Sequence, residues 1–249
     1  MTGRGNTTWL IPGRAAALID AGTGDSRHAA DLEAALGGAP LRAVLVTHGH
    51  SDHASGAPAL RERMPGARFA KMPWERDARY PVRWHPLADG DVIEAGDTAV
   101  VALHTPGHAV DHLCFWHEES RTLFAGDLVV KGGTVVIPAG SGGDLAAYLA
   151  SLERVLTLRP ARLLPAHGPA IEAPEPLLRT CIDHRLEREA QVLAALRAGD
   201  ASAEAIVARV YVGLPDALVP MARETVTAHL RKLEKEGRAC RDADRWTII

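Results

Sequence analysis

Five histidines and two aspartates carry the chemistry this sequence can do: His48, His50, Asp52 and His53 within six residues, then His108, Asp127 and His167. His48 and His50 are two apart in an extended segment, so both imidazoles point to one side, and Asp52 and His53 fall where the chain turns toward a helix. Four ligands in six residues can therefore face two neighbouring points in space. Seven such groups brought together would repel or desolvate one another unless a cation compensates them. Imidazole with carboxylate suits zinc, and also iron or manganese, while the absence of Cys at these positions removes the thiolate signature of structural zinc. Seven ligands are too many for one tetrahedral ion and fit two divalent ions per chain. A carboxylate has two oxygens, so Asp127 can bridge the pair, with His48, His50 and His108 on one ion and Asp52, His53 and His167 on the other.

Two such ions lower the pKa of a bridging water from ~15.7 toward ~7 and clamp the attacked centre, which predicts hydrolysis by a metal-bound hydroxide. Asp52 is the candidate catalytic residue, orienting the nucleophile and shuttling protons. A phosphodiester would lay its non-bridging oxygens against the ions, and a thioester its carbonyl. The ligand list does not choose between them.

The elements that position these groups are short strands. Thr8 to Ile11 and Ala15 to Ile19, separated by Pro12-Gly13, read as a hairpin. Arg27 to Leu36 reads as a helix ended by Gly37-Gly38, and Ala43 to Val46 as a buried strand running into His48. Further strands are expected at Ala99 to Leu103, Leu113 to Trp116, Thr122 to Ala125 and Arg162 to Leu164, with turns at residues 88–91 and 94–97. Helices are expected at Ala57 to Met64, Asp144 to Leu156 and Leu177 to Ala198. His108, Asp127 and His167 each follow a strand, behind a small residue. Strands alternating with helices, some paired in hairpins, imply layered sheets with helices outside.

After residue 200 the pattern changes. Ser202 can cap a helix through Val210, Pro220 can open a second through Glu236, closed by Gly237, and two extended pieces follow. This resembles a winged helix, giving an expected division into residues 1–199 and 200–249. Asp200 to Ile249 holds eight basic and eight acidic residues, a poor balance for gripping phosphates.

The chain has 249 residues, 47% hydrophobic and 24% charged, enough for a sizeable core. A net charge of -3 provides no global basic field to draw nucleic acid or a membrane surface. Cys114, Cys181 and Cys240 are odd in number and widely spaced, which argues against a disulfide framework and fits a reducing compartment. Neither a basic-then-apolar N-terminus nor an apolar run of membrane-spanning length occurs, so a cytoplasmic protein without membrane contact is expected. Nothing in the sequence fixes the oligomeric state.

His48-Gly49-His50-Ser51-Asp52-His53, followed in order by His108, Asp127 and His167, resembles the metallo-β-lactamase fold superfamily over residues 8 to 184 or so. The resemblance implies an α/β fold: an αββα metallo-β-lactamase sandwich with its dinuclear site along one edge, here with a small C-terminal winged-helix-like domain. The family's ligand assignments match those above position by position. β-Lactamases of the family commonly have Cys where Asp127 stands, and flavodiiron proteins have Glu at the place of His50, so both branches are disfavoured. Thr47 to Leu60, Thr105 to His112, Phe124 to Ile137, Asp144 to Glu153, His184-Arg185 through Arg188-Glu189 and the helical tail resemble the β-lactamase-like protein 2 group. Some members of that group are single-strand endoribonucleases, and related fungal proteins are thioesterases on acyl carriers. Glyoxalase II shares the ligands but not the C-terminal region. Two departures stand out: Pro165-Ala166-His167 replaces the usual Pro-Gly-His, and the family often begins with an additional strand ahead of Thr8.

The expected function is thus a dinuclear metal-dependent hydrolase, zinc foremost, cleaving single-stranded RNA. The alternatives are a thioesterase on acyl-CoA or acyl-carrier substrates, with a small-molecule ester or thioester as partner, and a non-catalytic nucleic-acid-binding regulator. Resemblance also marks His184 and Arg185 as substrate contacts. Asp20 can accept a ligand histidine's second N–H or cap a turn, Thr47 can support the ligands, and His112 reads as a core histidine or a support. Lys71, Arg76 and Arg79, interleaved with Trp74 and Tyr80, would suit an RNA groove or an amphipathic surface loop.

Overall fold

A computed structural model describes residues 5–199 and 201–249. β1 (Trp9–Ile11) and β2 (Ala17–Ile19) form an antiparallel pair with Trp9 opposite Ile19. Helix α1 (Ser26–Leu36) leads to β3 (Ala43–Leu45), which pairs parallel with β2. After α2 (Ser51–Ala54) and α3 (Ala57–Arg63), β4 (Arg68–Lys71) and β5 (Trp84–Pro86) complete a first sheet in chain order. The second sheet is an antiparallel meander of β6 (Val92–Ala95), β7 (Thr98–His104), β8 (Leu113–His117) and β9 (Thr122–Gly126). Helix α4 (Leu145–Leu158) then crosses over to β10 (Arg162–Pro165), parallel to β9, with β11 (Ile171–Glu172) at the edge.

Alternation along the strands builds the layers. Ala17, Ile19, Ala43, Leu45, Leu113 and Phe115 share the core between the two sheets. Leu18, Val44 and Val46 face the other way, onto Leu32 of α1 and Leu60 of α3. Cys114 and Trp116 face outward in the second sheet, onto Leu149 and Leu152 of α4 and Leu178 of α5 (Glu175–Arg197). A strand's period of two sends each set to its own layer, and the result is helix, sheet, sheet, helix. No helix among the described residues is long and apolar enough to cross a membrane.

The C-terminal unit holds α6 (Ala203–Val210), α7 (Val219–Lys235) and a hairpin of β12 (Ala239–Asp242) and β13 (Arg245–Ile248). Ser202 caps α6 through its side chain, and a proline stands in the first turn of α7. Its core joins Ile206, Val226, Leu230 and Trp246 to Val192 and Leu196 of α5. The core therefore reaches back across residue 200, because one continuous α5 serves the sheets with its first half and the winged helix with its second.

The helices and the longer strands lie within a residue or two of where the sequence puts them. β4, β5, β6 and β11 were not anticipated. Arg68–Lys71 has charge at both ends, and the turn expected at residues 94–97 is the tight connection from β6 to β7 through Gly96, with Ala95 paired to Thr98.

Candidate metal centre

β7 and β9 both lie antiparallel to β8, and β10 lies parallel to β9, so their C-terminal ends share one edge of the second sheet. His108, Asp127 and His167 follow those three ends. The loop after β3 brings the first sheet to the same edge, tied there by a Leu113 N–H bond to the Thr47 carbonyl at 2.7 Å. Within that loop the His50 carbonyl accepts from the backbone N–H of His53 and Ala54, starting the short turn α2 that turns Asp52 and His53 inward.

Glycine is required twice in this framework. A Cβ at Gly49 would stand 2.3 Å from the Trp74 ring, and one at Gly126, whose φ is +48°, would stand 2.7 Å from His112 Nε2 and 2.9 Å from Thr47 Cβ. Both closures let neighbouring loops approach the site.

All seven residues expected at the centre converge. His50 Nδ1 lies 2.9 Å from His48 Nε2 and 3.0 Å from His108 Nε2. Asp52 Oδ2 lies 3.6 Å from His53 Nε2 and 3.3 Å from His167 Nε2. Asp127 faces both groups: Oδ1 is 3.5 Å from His53 Nε2 and 3.3 Å from His167 Nε2, while Oδ2 is 3.4 Å from His108 Nε2. Each of three sets, His48/His50/His108, His48/His53/Asp127 and Asp52/His53/His167, has its donor atoms within 4.8 Å of one another and could hold an ion.

A second layer of acceptors fixes which nitrogen faces inward. The Thr47 hydroxyl donates to Asp20 at 2.9 Å and stands 3.1 Å from His48 Nδ1, whose N–H it accepts. His53 Nδ1–H donates to Asp20 Oδ2 at 2.8 Å, His108 Nδ1–H to the Val136 carbonyl at 2.8 Å, and His167 Nδ1–H to the Gly5 carbonyl at 3.1 Å. Nε2 of these four imidazoles is thus the nitrogen that faces the cluster and would give its lone pair to a cation, the arrangement that metal-ligating histidines adopt. Asp20 takes the supporting place anticipated for it, and it also accepts the Thr47 N–H at 2.8 Å.

Cations fit these residues on two observations. His53 Nε2 and Asp127 Oδ1 are buried with no hydrogen-bond partner, which is costly unless something else satisfies them. Donors around a tetrahedral zinc with bonds of about 2.0–2.1 Å stand about 3.3 Å apart, and the separations above bracket that value.

The electrostatics are those of a site built for positive charge. Burial, then the neighbouring His53, pushes His48 well below the ordinary histidine value. His50 falls to about 4, chiefly through burial and then His108. Burial opposes charge on His53 too, but Asp20 and Asp127 outweigh it and hold its pKa well above normal. The Asp127 and Asp52 carboxylates that face it carry His167 up to about 10. Burial likewise works against the two carboxylates, yet His53 and His167 keep Asp127 well below, and Asp52 below, the ordinary aspartate value.

Further supports surround the ligands: His112 takes the second of its two readings, and Asp111 escaped the sequence reading. His112 Nε2 accepts the Asp127 backbone N–H at 3.0 Å, with Nδ1 on the Thr105 hydroxyl at 2.9 Å, so its role is to seat the central aspartate's backbone. Asp111 accepts the Gly49 N–H at 2.9 Å and pairs with Lys71 at 3.0 Å. Lys71 is fully buried and also bound to Asp77 at 2.7 Å, which removes it from any phosphate groove. The Tyr80 hydroxyl donates to the Gly49 carbonyl at 3.2 Å.

His184 and Arg185 do not join the cluster. Arg185 is 2% exposed, donates to the Val135 carbonyl and lies over the Tyr148 ring, away from the seven ligands. His184 is half-buried beside a small cavity of about 170 Å³ lined also by Tyr148 and Cys181. A cleft of about 390 Å³ adjoins the centre, lined by Pro73, Trp74, Arg76, Val110 and the Gly140–Gly142 turn. A larger hollow of about 890 Å³ lies at the opposite end of the strands, by Arg42, Arg68 and Asp97, away from this chemistry.

Comparison with known proteins agrees with the fold. Residues 1–167 match the metallo-beta-lactamase superfamily, and residues 202–246 match the beta-lactamase associated winged helix domain. A beta-lactamase-like protein 2 homolog of Drosophila melanogaster is 33% identical over 267 residues, covering 96% of this chain and 85% of the relative. An atrochrysone carboxyl ACP thioesterase of Aspergillus chevalieri is 33% identical over 266 residues, covering 99% of this chain and 82% of the relative. The crystal structure of a beta-lactamase domain protein from Burkholderia ambifaria shares the fold with a TM-score of 0.83, at 23% identity, over 98% of this chain and 87% of its own. The chain belongs to the metallo-beta-lactamase superfamily, as a hydrolase carrying the winged helix domain associated with that fold.

Proposed function

We propose that the protein is a dinuclear metal-dependent thioesterase, with His48, His50 and His108 holding one cation, Asp52, His53 and His167 the other, and Asp127 shared between them. The observation that carries the dinuclear reading is Asp127, whose two oxygens face two separate donor groups at 3.3–3.5 Å. A nitrogen and oxygen donor set without thiolate suits zinc first, then iron or manganese. Cations held there supply Lewis acidity, lowering the pKa of a coordinated water from ~15.7 toward ~7 and polarising the attacked carbonyl.

The chain's own residues do the rest. Asp52 stays ionised, since His167 and His53 keep its pKa low; it accepts the attacking water's proton at its carboxylate and returns it to the departing sulfur. Trp74, Pro73 and Val110 line the adjoining cleft and offer apolar surface to an acyl chain. The thioester is favoured by the Aspergillus chevalieri relative, which matches across 99% of this chain, and by the burial of Lys71 in ion pairs. One observation favours RNA as a second reading: Arg76 and Arg79 lie 5.3 and 5.9 Å over the Trp74 ring, a platform on which bases could stack.

The test measures thiol release from acyl-CoA and acyl-carrier thioesters, beside cleavage of an unstructured RNA oligonucleotide, with and without chelator. Chelator-sensitive thiol release supports the proposal. Turnover of the oligonucleotide alone, or hydrolysis that survives Asp127→Ala, overturns it. Elemental analysis of protein purified without a metal-affinity tag is expected to find about two equivalents of metal, as the two-ion geometry requires.

A further inference from the structure

Residues 127–144 join β9 to α4 and contain only one short 3-10 turn, Ala139–Ser141. Among the described residues, no backbone N–H from Val129 to Ile137 bonds to another backbone group. Yet this segment carries two parts of the centre. The Val136 carbonyl accepts His108 Nδ1–H at 2.8 Å, and Gly140–Gly142 line the cleft together with Trp74. A long connection so poor in internal bonds has to be fixed from outside.

Three side chains from the C-terminal half do this. Arg185 of α5 donates to the Val135 carbonyl, one peptide from the carbonyl that orients His108. Arg231 of α7 donates to the Ala139 carbonyl, and the Glu224 carboxylate of α7 accepts the Gly140 N–H at 2.8 Å. Beyond them Lys235 pairs with Asp144 at 2.5 Å, the residue that caps α4. Glu224, Arg231 and Lys235 are seven and four residues apart, which places them on one face of α7. That face is turned to the 139–144 connection and the start of α4.

We infer that Arg185 of α5 and, from the winged helix unit, Glu224 and Arg231 are positioning residues of the metal centre, which hold the 135–140 backbone and through it the orientation of His108 and the wall of the cleft. The inference rests on the metal-site reading above, but not on the choice of substrate. Partners that orient metal-ligating histidines are worth about 10–100-fold in metal affinity. Arg185 acts one peptide further away, so the lower end of that range is expected.

The experiment uses the full chain and competes zinc against a chromophoric chelator, with thermal melting of chelator-treated protein as the fold control. Arg185→Ala is expected to weaken one of the two zinc equivalents roughly tenfold and leave the other unchanged, with Arg185→Lys, which keeps a donor, restoring most of the loss. Should Arg185→Ala fail to fold, Glu224→Ala combined with Arg231→Ala is read in its place. That double variant is expected to speed amide exchange over residues 133–142 and weaken the same equivalent, with Glu224→Gln in place of Glu224→Ala restoring slow exchange. Parental zinc affinity at both equivalents in a folded Arg185→Ala chain, or in the double variant where Arg185→Ala does not fold, overturns the inference. A chain that binds no zinc even unmutated refutes the metal-site reading instead.

Discussion

Asp20 offers the sharpest separation of fold from chemistry. It is 1% exposed and accepts three hydrogen bonds, from the Thr47 N–H at 2.8 Å, the Thr47 hydroxyl at 2.9 Å and His53 Nδ1–H at 2.8 Å. Its φ is +65°, a backbone conformation that Asn adopts more readily than Ala. Asp20→Asn therefore keeps the turn and an oxygen for Thr47, but it can turn an amide donor toward His53 Nδ1. His53 would then adopt the other tautomer and point a proton, not a lone pair, at the cluster. Loss of an orienting carboxylate is worth about 10–100-fold in metal affinity, or roughly 1.4–2.7 kcal/mol. Asp20→Ala would in addition strand the Thr47 and His53 donors at about 1–3 kcal/mol each, a large share of a net stability of about 5–15 kcal/mol. The assay pairs chelator-competition titration of zinc with thermal melting of the chelator-treated chain. The expected pattern is weakened zinc binding with a nearly unchanged melting temperature for Asn, and losses in both for Ala. If Asp20→Asn binds zinc as tightly as the parent, the tautomer argument is wrong.

Zinc binding at pH 7 is expected to release roughly two protons, one each from His53 and His167, because Asp20 and Asp127 hold the first protonated and the second titrates at about 10. Affinity should therefore climb as pH rises from 5 to 9 and fall as pH drops; calorimetry in buffers of different ionisation enthalpy reads the protons, and a value of zero contradicts the assignment. Gly126→Ala is expected to destabilise by about 2–4 kcal/mol, from left-handed backbone strain and crowding of His112 and Thr47, and a denaturant midpoint equal to the parent's counts against the close packing described. Asp52→Asn is expected to lower kcat about 10²–10⁴-fold while the His48, His50 and His108 group retains zinc. Steady-state kinetics beside metal analysis tests this, and a variant with full turnover removes Asp52 as the proton carrier.

Much of the centre was legible because its donors carry their chemistry in their side chains. The run from His48 to His53 holds four ligand-type residues on one loop, and His108, Asp127 and His167 stand directly after recognisable strands. The short apolar runs Ala15 to Ile19 and Ala43 to Val46 read as strands, and they prove buried on both faces. Asp20 was readable as one of two options, since an aspartate after a strand can cap a turn or hold a histidine.

What stayed hidden depends on partners distant in sequence or on groups every residue has. The acceptors of His108 and His167 are backbone carbonyls, of Val136 and Gly5, and a carbonyl has no residue type to read. Lys71 looked available for phosphate until the fold set it between Asp77 and Asp111. The packing of Arg185 against Tyr148 and its bond to the Val135 carbonyl had no signal in the sequence. Composition and spacing thus determined which groups exist and which strands and helices carry them, because local periodicity and side-chain chemistry are written residue by residue. Only the tertiary structure decided which lone pairs meet, which charges are spent on one another, and that α7 faces the 139–144 connection, because those depend on distances between segments far apart in the chain, such as Gly5 and His167 at 162 residues.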